Sequence, residues 1–368
     1  MKILEVVRGL RKSSGVATFV REVADALYSS GVDVAIAMNR PGKENWMPPS
    51  GKEPVVGLRD AVACGTKWDI VHVHGLWDAE IRQAAKWAVG HDVPLVWSPH
   101  GMLAPWALSY HWYRKLLPWH LYTKRLLHKA TVFHATATNE AEWIHKAGFD
   151  NEVEIVPLGT HLPDLSCAAA NRIGSGIRRL LFVGRVHPVK GLENLIRAWA
   201  MCDTVGWELR IVGPDSGGYE KRLKELAEDL GCSEGIRFAG QKLGADLARE
   251  YLDCDCLVLP SFSENFGGVV IDAMAAGKPV IASRSTPWSE LEGDDTHVII
   301  DASSQHRCGW WIDNDPASLS SAISAMMALD DGERLSVGGN GRLLVERKYT
   351  WPTVAQQMAK VYNRLIEF

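Results

Sequence analysis

A chain of 368 residues with 46% apolar and 23% charged residues is too long for one ordinary core and suits two α/β domains. No charge-free apolar run is long enough to span a bilayer. The net charge of −4, slightly basic before residue 160 and acidic after it, speaks against bulk nucleic-acid binding. The seven cysteines are scattered, and Cys254-x-Cys256 lacks a second pair at metal-site spacing. A reduced, cytoplasmic protein with buried thiols is therefore expected.

Residues 3–7 read as a first β-strand and not as a signal peptide. Further strands are expected at 32–38, 69–74, 95–98, 131–135 and 153–157. A second series follows at 179–183, 208–212, 236–239, 256–260 and 279–282. Near-continuous apolar strands separated by helical patterns imply parallel sheets covered on both faces. Two such sets in series imply two doubly wound domains. The expected division is a first domain over 1–162 and a linker over 163–177, where Pro, Ser, Ala and Gly mix without period. A second domain covers 178–350. A helix over 351–368, apolar at Val354, Met358, Val361, Tyr362 and Leu365, returns to the first domain.

Ligands of such sheets bind outside the carboxyl ends of the strands, so the strand-to-helix turns carry the functional candidates. The turn Arg11-Lys12-Ser13-Ser14-Gly15 opens a helix. Ser14 suits the N-cap, and Gly15 lets the backbone approach a ligand where the helix start favours an anion. His100 ends another strand and could reach a sugar hydroxyl or a phosphate oxygen. Between Asp92 and Glu140 no acidic residue occurs. There Trp112, Arg114, Lys115, Trp119, Lys124 and Arg125 interleave rings and cations, a composition suited to an anionic membrane surface.

The turn Gly184-Arg185-Val-His-Pro-Val-Lys190-Gly191 follows a strand and precedes a helix. Arg185 offers a fork of donors and Lys190 a point charge, both where a diphosphate would lie on a helix start. In Glu264-Asn265-Phe266-Gly267-Gly268 a carboxylate precedes a helix, and Asp272 follows about two turns further on. Asp253-Cys254-Asp255 looks like a metal motif but joins a helix to a strand, and a structural role is expected.

These residues resemble glycosyltransferase family 4, retaining enzymes of GT-B fold, in which two Rossmann-like domains face a cleft. The resemblance is most specific from Gly184 to Ser283. It implies Glu264 at the donor sugar, Asp272 at the nucleotide ribose, and Asn265, Phe266, Gly267 and Gly268 around the sugar. It also implies Arg185 and Lys190 on the diphosphate beside Gly184, Gly15 in the amino-terminal loop, and His100 near the donor sugar. The run from Ser98 to Leu108 is similar to bacterial members that build lipopolysaccharide or exopolysaccharide. Three departures stand out. Asp272 replaces the family's second Glu, Ser14-Gly15 replaces two glycines, and Gly159-Thr160-His161 replaces Gly-Ile-Asp.

The function so implied is retaining transfer of a hexose-type sugar from a UDP-sugar, or next GDP-mannose, to a saccharide or lipid-linked saccharide hydroxyl. No cofactor and no metal are expected, because cations neutralise the diphosphate. No nucleic-acid partner is expected. The expected location is cytoplasmic, with possible peripheral attachment to the inner face of the cytoplasmic membrane. A same-fold epimerase or phosphorylase, or a non-catalytic nucleotide-sugar-binding subunit, are the alternatives.

Overall fold

A computed structural model describes residues 1–10, 14–39, 54–63, 65, 67–165, 176–293 and 307–367. The chain divides into two compact units. The first is Met1–Gly159 with Thr350–Phe368, and the second is Thr160–Tyr349. Part of the expected linker and the loop Arg11–Ser13 lie outside the described residues.

The first unit holds a seven-stranded sheet in the order β3-β2-β1-β4-β5-β6-β7. Its strands are β1 (Lys2–Val6), β2 (Asp33–Met38), β3 (Val55–Gly57), β4 (Ile70–His74), β5 (Leu95–Ser98), β6 (Val132–Ala135) and β7 (Val153–Ile155). Every pairing is parallel. The second unit holds a six-stranded sheet in the order β10-β9-β8-β11-β12-β13. These are β8 (Arg178–Val183), β9 (Trp207–Val212), β10 (Ile236–Gly240), β11 (Cys256–Leu259), β12 (Val280–Ser283) and β13 (Gly309–Ile312). This sheet is also parallel throughout. The expectation of two doubly wound sheets therefore holds. Strands β3 and β13 escape a reading by apolar runs, since one is three residues long and the other is Gly-Trp-Trp-Ile.

The last helix, Trp351–Ile366, belongs to the first unit. Thr350 caps it and Pro352 stands in its first turn, where a missing N–H costs nothing. Its stripe of Trp351, Val354, Met358, Val361 and Tyr362 joins one core with Phe19, Val20 and Val23 of the helix Gly15–Ser29 and with Ile3, Ile36 and Ile70 of the sheet. At its far end Arg364 pairs with Glu154 at 2.6 Å.

The Met358 side chain is fully buried in that core. Met358→Ala is expected to destabilise the first unit by about 2–5 kcal/mol, read as a lower urea midpoint in unfolding of the whole chain.

Candidate functional site

In the first unit, four adjacent strands send polar side chains to one face at their carboxyl ends. Glu5 lies beside His72 in register. His74, Ser98 and His134 follow across β4, β5 and β6. All five are buried, and so is Tyr362 of the last helix. Since a buried polar group needs a partner, they bond to one another. His74 Nε2 lies 2.5 Å from Glu5 Oε2, and His74 Nδ1 lies 2.9 Å from His100 Nε2. Tyr362 Oη lies 2.8 Å from Glu5 Oε1 and 2.6 Å from His72 Nδ1. His72 Nε2 and His134 Nδ1 both meet Ser98 Oγ at 2.6 Å, and His134 Nε2 donates to the Val156 carbonyl at 2.8 Å.

Burial would raise the Glu5 carboxyl, but His72 and His74 outweigh it and hold it well below the usual carboxylate range. Burial, then the neighbouring His72, pushes the His74 imidazole down to about 4. His134 is pushed down to about 3 by the same two causes. Burial and the surrounding imidazoles likewise push His100 well below its ordinary value. Glu5, His72 and His74 also offer three potential metal-ligand atoms within 4.8 Å of one another. The 2.5 Å between His74 and Glu5 is a hydrogen-bond distance, however. Two ligands of one tetrahedral ion would stand about 3.3 Å apart.

His100 is at the rim of this network, with a left-handed backbone at φ 50°. That conformation is costly for a residue with a Cβ and is held by its surroundings. Gly101 follows at φ 74°, and its N–H donates at 2.6 Å to the buried carboxylate of Glu140. Glu140 also binds the N–H and hydroxyl of Thr136, each at 2.8 Å. The turn that carries His100 is thus pinned from below. Gly15 starts the helix Gly15–Ser29, Ser14 Oγ accepts the Ala17 N–H at 3.3 Å, and a Cβ at Gly15 would meet open space.

The basic aromatic segment forms short helices at Pro105–Ser109, Trp112–Pro118 and Lys124–Leu127, with a π-turn at Trp119–Thr123 between the last two. Trp112, Tyr113, Leu117 and Leu121 are exposed apolar side chains, each at least 58% accessible. Arg114, Lys124 and Arg125 are exposed among them. Two of the expected surface residues turn inward instead. Lys115 Nζ donates to the Ala107 and Tyr110 carbonyls, and Trp119 packs against Trp77 and Phe149. No helix among the described residues is long and apolar enough to cross a membrane.

In the second unit, Lys190 ends a short 3-10 turn, Pro188–Lys190, ahead of the helix Leu192–Trp199. Gly191 joins the two at φ 69°, and a Cβ there would strike the Pro260 carbonyl. Only glycine lets the first turn lie against the end of β11. From that end Ser261 and Glu264 reach back. Lys190 Nζ and Glu264 Oε2 are 2.5 Å apart, and Ser261 Oγ donates to the same oxygen at 3.0 Å. Both charged side chains are mostly but not wholly covered, at 13% and 16% accessible. Arg185 lies two residues past β8, exposed, with no ion pair among the described residues. Gly184 marks the turn before it.

Gly267, at φ 82°, caps the helix Gly268–Ala275. Phe266 is buried edge-on to Trp288, whose indole N–H donates to the Phe266 carbonyl at 2.6 Å. This fixes the backbone from Glu264 through Asn265 to Gly268. Asp272, one face of that helix further on, accepts the Thr160 hydroxyl at 2.6 Å. Burial, only partly offset by hydrogen bonds from Thr160 and Tyr251, pushes its carboxyl up to about 6. Two of the three departures from the family pattern, at positions 160 and 272, therefore touch each other.

Asp255 accepts the Arg179 N–H at 2.8 Å as a structural brace. A cavity of about 640 Å³ opens beside it, lined by Arg178, Asp253, Lys278 and Arg334. That cavity sits where strands β8, β11 and β12 begin, at the opposite end of the sheet from Lys190 and Glu264. The strand-end reading finds His100, Lys190 and Glu264 but passes over Glu5, His72, His74 and His134. Their signal was a carboxylate and alternate histidines inside fully apolar strands.

Two doubly wound parallel-sheet units in series, with polar clusters at their strand ends, define a GT-B glycosyltransferase fold. The same architecture occurs in sucrose-phosphate synthase from Thermosynechococcus elongatus. That structure aligns with a TM-score of 0.74 and 20% identity over 100% of this chain and 99% of that one. It occurs too in HepE of Anabaena in complex with UDP and glucose, at a TM-score of 0.77 and 19% identity over 99% and 100%. Residues 14–159 match the glycosyl transferase 4-like domain and residues 169–343 the glycosyl transferases group 1 model. The chain belongs to this glycosyltransferase family. D-inositol 3-phosphate glycosyltransferase of Corynebacterium kroppenstedtii is 30% identical over 195 residues, which cover 51% of this chain and 40% of that protein. The chain spans about half the length of the curated relatives it matches.

A carboxyl raised in the folded state favours folding below its unfolded value and loses that contribution as pH rises through the folded value. For Asp272 the window runs from its ordinary 3.8 to about 6. Across this window the melting temperature of the unmodified protein is expected to fall relative to Asp272→Asn as pH rises. Thermal unfolding of both proteins from pH 4 to 7 reads the difference.

Proposed function

We propose that the protein is a retaining, metal-independent hexosyltransferase. It moves a sugar from a nucleoside diphosphate sugar, UDP-linked first and GDP-mannose next, to a hydroxyl of a saccharide or lipid-linked saccharide. The product belongs to cell-surface polysaccharide, the class that the run Ser98–Leu108 resembles. The observation that carries this reading is the Lys190–Glu264 pair, 2.5 Å apart, set between the starts of two helices in a chain of this family.

In this reading the donor diphosphate lies against the start of the helix Leu192–Trp199, where helix dipole, Lys190 and Arg185 all favour negative charge. Gly184 gives the backbone room there. The diphosphate competes with Glu264 for Lys190. When it wins, the carboxylate is released to accept hydroxyls of the donor sugar. Backbone groups of Asn265, Phe266, Gly267 and Gly268 surround that sugar, and Asp272 takes the ribose side. His100 meets a sugar hydroxyl, and Gly15 offers a helix start in the first unit.

The acceptor hydroxyl oxygen bonds to the anomeric carbon on the face that the diphosphate leaves. The carbon–oxygen bond to phosphate breaks, its electron pair stays on the diphosphate, and the hydroxyl proton passes to a phosphate oxygen. No protein nucleophile is needed. The protein contributes orientation and preorganised charge. Two side-chain cations on the diphosphate serve where other enzymes use a metal ion.

A thermal-shift panel of UDP, GDP, ADP and their sugar conjugates, all in EDTA, tests this. One nucleotide family is expected to raise the melting temperature. Lys190→Ala should lose that shift and cut turnover by on the order of 10²–10³ while folding normally. A shift that appears only with Mg²⁺ or Mn²⁺ would sink metal independence, and no shift at all would sink the donor site.

The acceptor assignment rests on the exposed face of Trp112, Tyr113, Leu117 and Leu121 with Arg114, Lys124 and Arg125. Rings anchor at a headgroup layer and cations meet anionic lipid, about 1 kcal/mol for each cation. Charge reversal at Arg114, Lys124 and Arg125 is expected to abolish co-sedimentation with phosphatidylglycerol vesicles. Unchanged co-sedimentation would return this face to solvent.

A further inference from the structure

We propose that Glu5 and His74 are positioning residues that hold His100 in one neutral tautomer, protonated at Nε2. A bare Nδ1 is then presented as the acceptor for a sugar hydroxyl. The use of that acceptor rests on the glycosyltransferase reading, but the tautomer itself does not.

The argument is a count of protons. An ionised carboxylate and a carbonyl accept only, and a neutral imidazole donates from one nitrogen and accepts at the other. Glu5 is ionised, so His74 must donate to it from Nε2. His74 is neutral, so its Nδ1 is an acceptor. His100 Nε2, 2.9 Å away, must then carry a proton, and in neutral His100 the second nitrogen is bare. His100 Nδ1 has no hydrogen-bond partner among the described residues. The left-handed backbone at His100 and its ring stacked 5.1 Å from His74 leave the imidazole little choice of orientation.

The other arm of the network does not disturb this order. From Val156 to Glu5 there are five hydrogen bonds. Neutral His134, Ser98, His72 and Tyr362 supply one proton each, four in all. Both ends of this run are pure acceptors, so one further proton completes it. Placed anywhere along that run, it leaves Glu5 Oε2, 3.3 Å from His72 Nδ1, as the acceptor for His74 Nε2. His74 and His100 remain neutral beyond it. The same logic orients metal-bound and catalytic histidines through an outer carboxylate.

The test is nitrogen NMR of the full chain labelled at histidine, without substrate, with the His100 signals assigned by their loss in His100→Ala. The expected spectrum at neutral pH shows His100 protonated at Nε2 and bare at Nδ1. An Nδ1–H tautomer, or an imidazolium, overturns the proposal, and this readout needs no enzyme activity. His74→Phe is the matching perturbation. It removes the acceptor nitrogen that holds the His100 proton on Nε2. His100 is expected to lose its single tautomer, and kcat/KM for UDP release from UDP-glucose to fall by about 10–100-fold. If His74→Phe fails to fold, Glu5→Leu serves, because it takes away the acceptor that fixes the His74 proton on Nε2, and the same loss is expected. A folded variant with an unchanged His100 spectrum overturns the relay. So does stoichiometric zinc in the purified protein that the variant releases. Loss of the single tautomer with no UDP release from the unmodified protein would support the relay and sink the transfer reading alone.

Discussion

The first unit is organised around one buried charge. Glu5 sits in the middle of an apolar strand with no access to water, and an unpaired carboxylate there would cost several kcal/mol. Its partners come from two places in the chain. His72 and His74 arrive on the neighbouring strand, and Tyr362 arrives from a helix 357 residues away in sequence. The apolar stripe of the last helix supplies the gain from burial, but apolar contact alone tolerates sliding. Tyr362 supplies the register, because its hydroxyl must meet both Glu5 and His72. Residues 1–159 therefore leave Glu5 and His72 each one partner short until the end of the chain folds back.

The second unit treats charge differently. Lys190 and Glu264 stand at strand ends where some water reaches both, so each can change partner without stranding the other in an apolar medium. On the transfer reading proposed above, a fixed network in one unit and an exchangeable pair in the other suit two tasks. Orientation of a hydroxyl requires a donor–acceptor pattern that does not move. Capture of a diphosphate requires a cation that can leave one anion for another. Gly191 lets the helix start lie against the β11 end, close to that carboxylate.

Much of this was legible in the sequence. Apolar runs, many of them ending in Gly, Pro or Ser, located eleven of the thirteen strands among the described residues, because parallel strands buried on both faces read as continuous hydrophobic segments. Lys190 and Glu264, which pair in the structure, stood out as candidates because charged residues in strand-to-helix turns are conspicuous. The return of the last helix was visible in the spacing from Val354 to Leu365. What escaped was set by distance in three dimensions. Nothing local to Glu5 says that it meets Tyr362, and His72 and His74 read as ordinary strand residues until β1 and β4 are known to be neighbours. Lys115 and Trp119 look like their exposed neighbours in sequence. Which of them turns inward depends on the π-turn at Trp119–Thr123 and on carbonyls left open by the short helices. The contact between Thr160 and Asp272, 112 positions apart, is equally invisible in one dimension.

That last contact changes what the two departures mean. An Asp at 272 reaches less far than a Glu by one methylene, and taken alone it suggests a weakened ribose contact. A Thr at 160 in place of a branched apolar residue, taken alone, suggests a loop that has lost its packing role. Joined at 2.6 Å, with the Thr160 hydroxyl donating to the Asp272 carboxyl oxygen, they form one unit. The price is charge, since burial pushes the Asp272 carboxyl up to about 6. A carboxyl so close to neutrality can accept from one hydroxyl and, once protonated, donate to another, which a carboxylate held by a lysine cannot do. Glu264, ahead of the helix Gly268–Ala275, and Asp272, inside it, are therefore different chemical tools. One is an anion defined by its cation, and the other a carboxyl defined by a neutral neighbour.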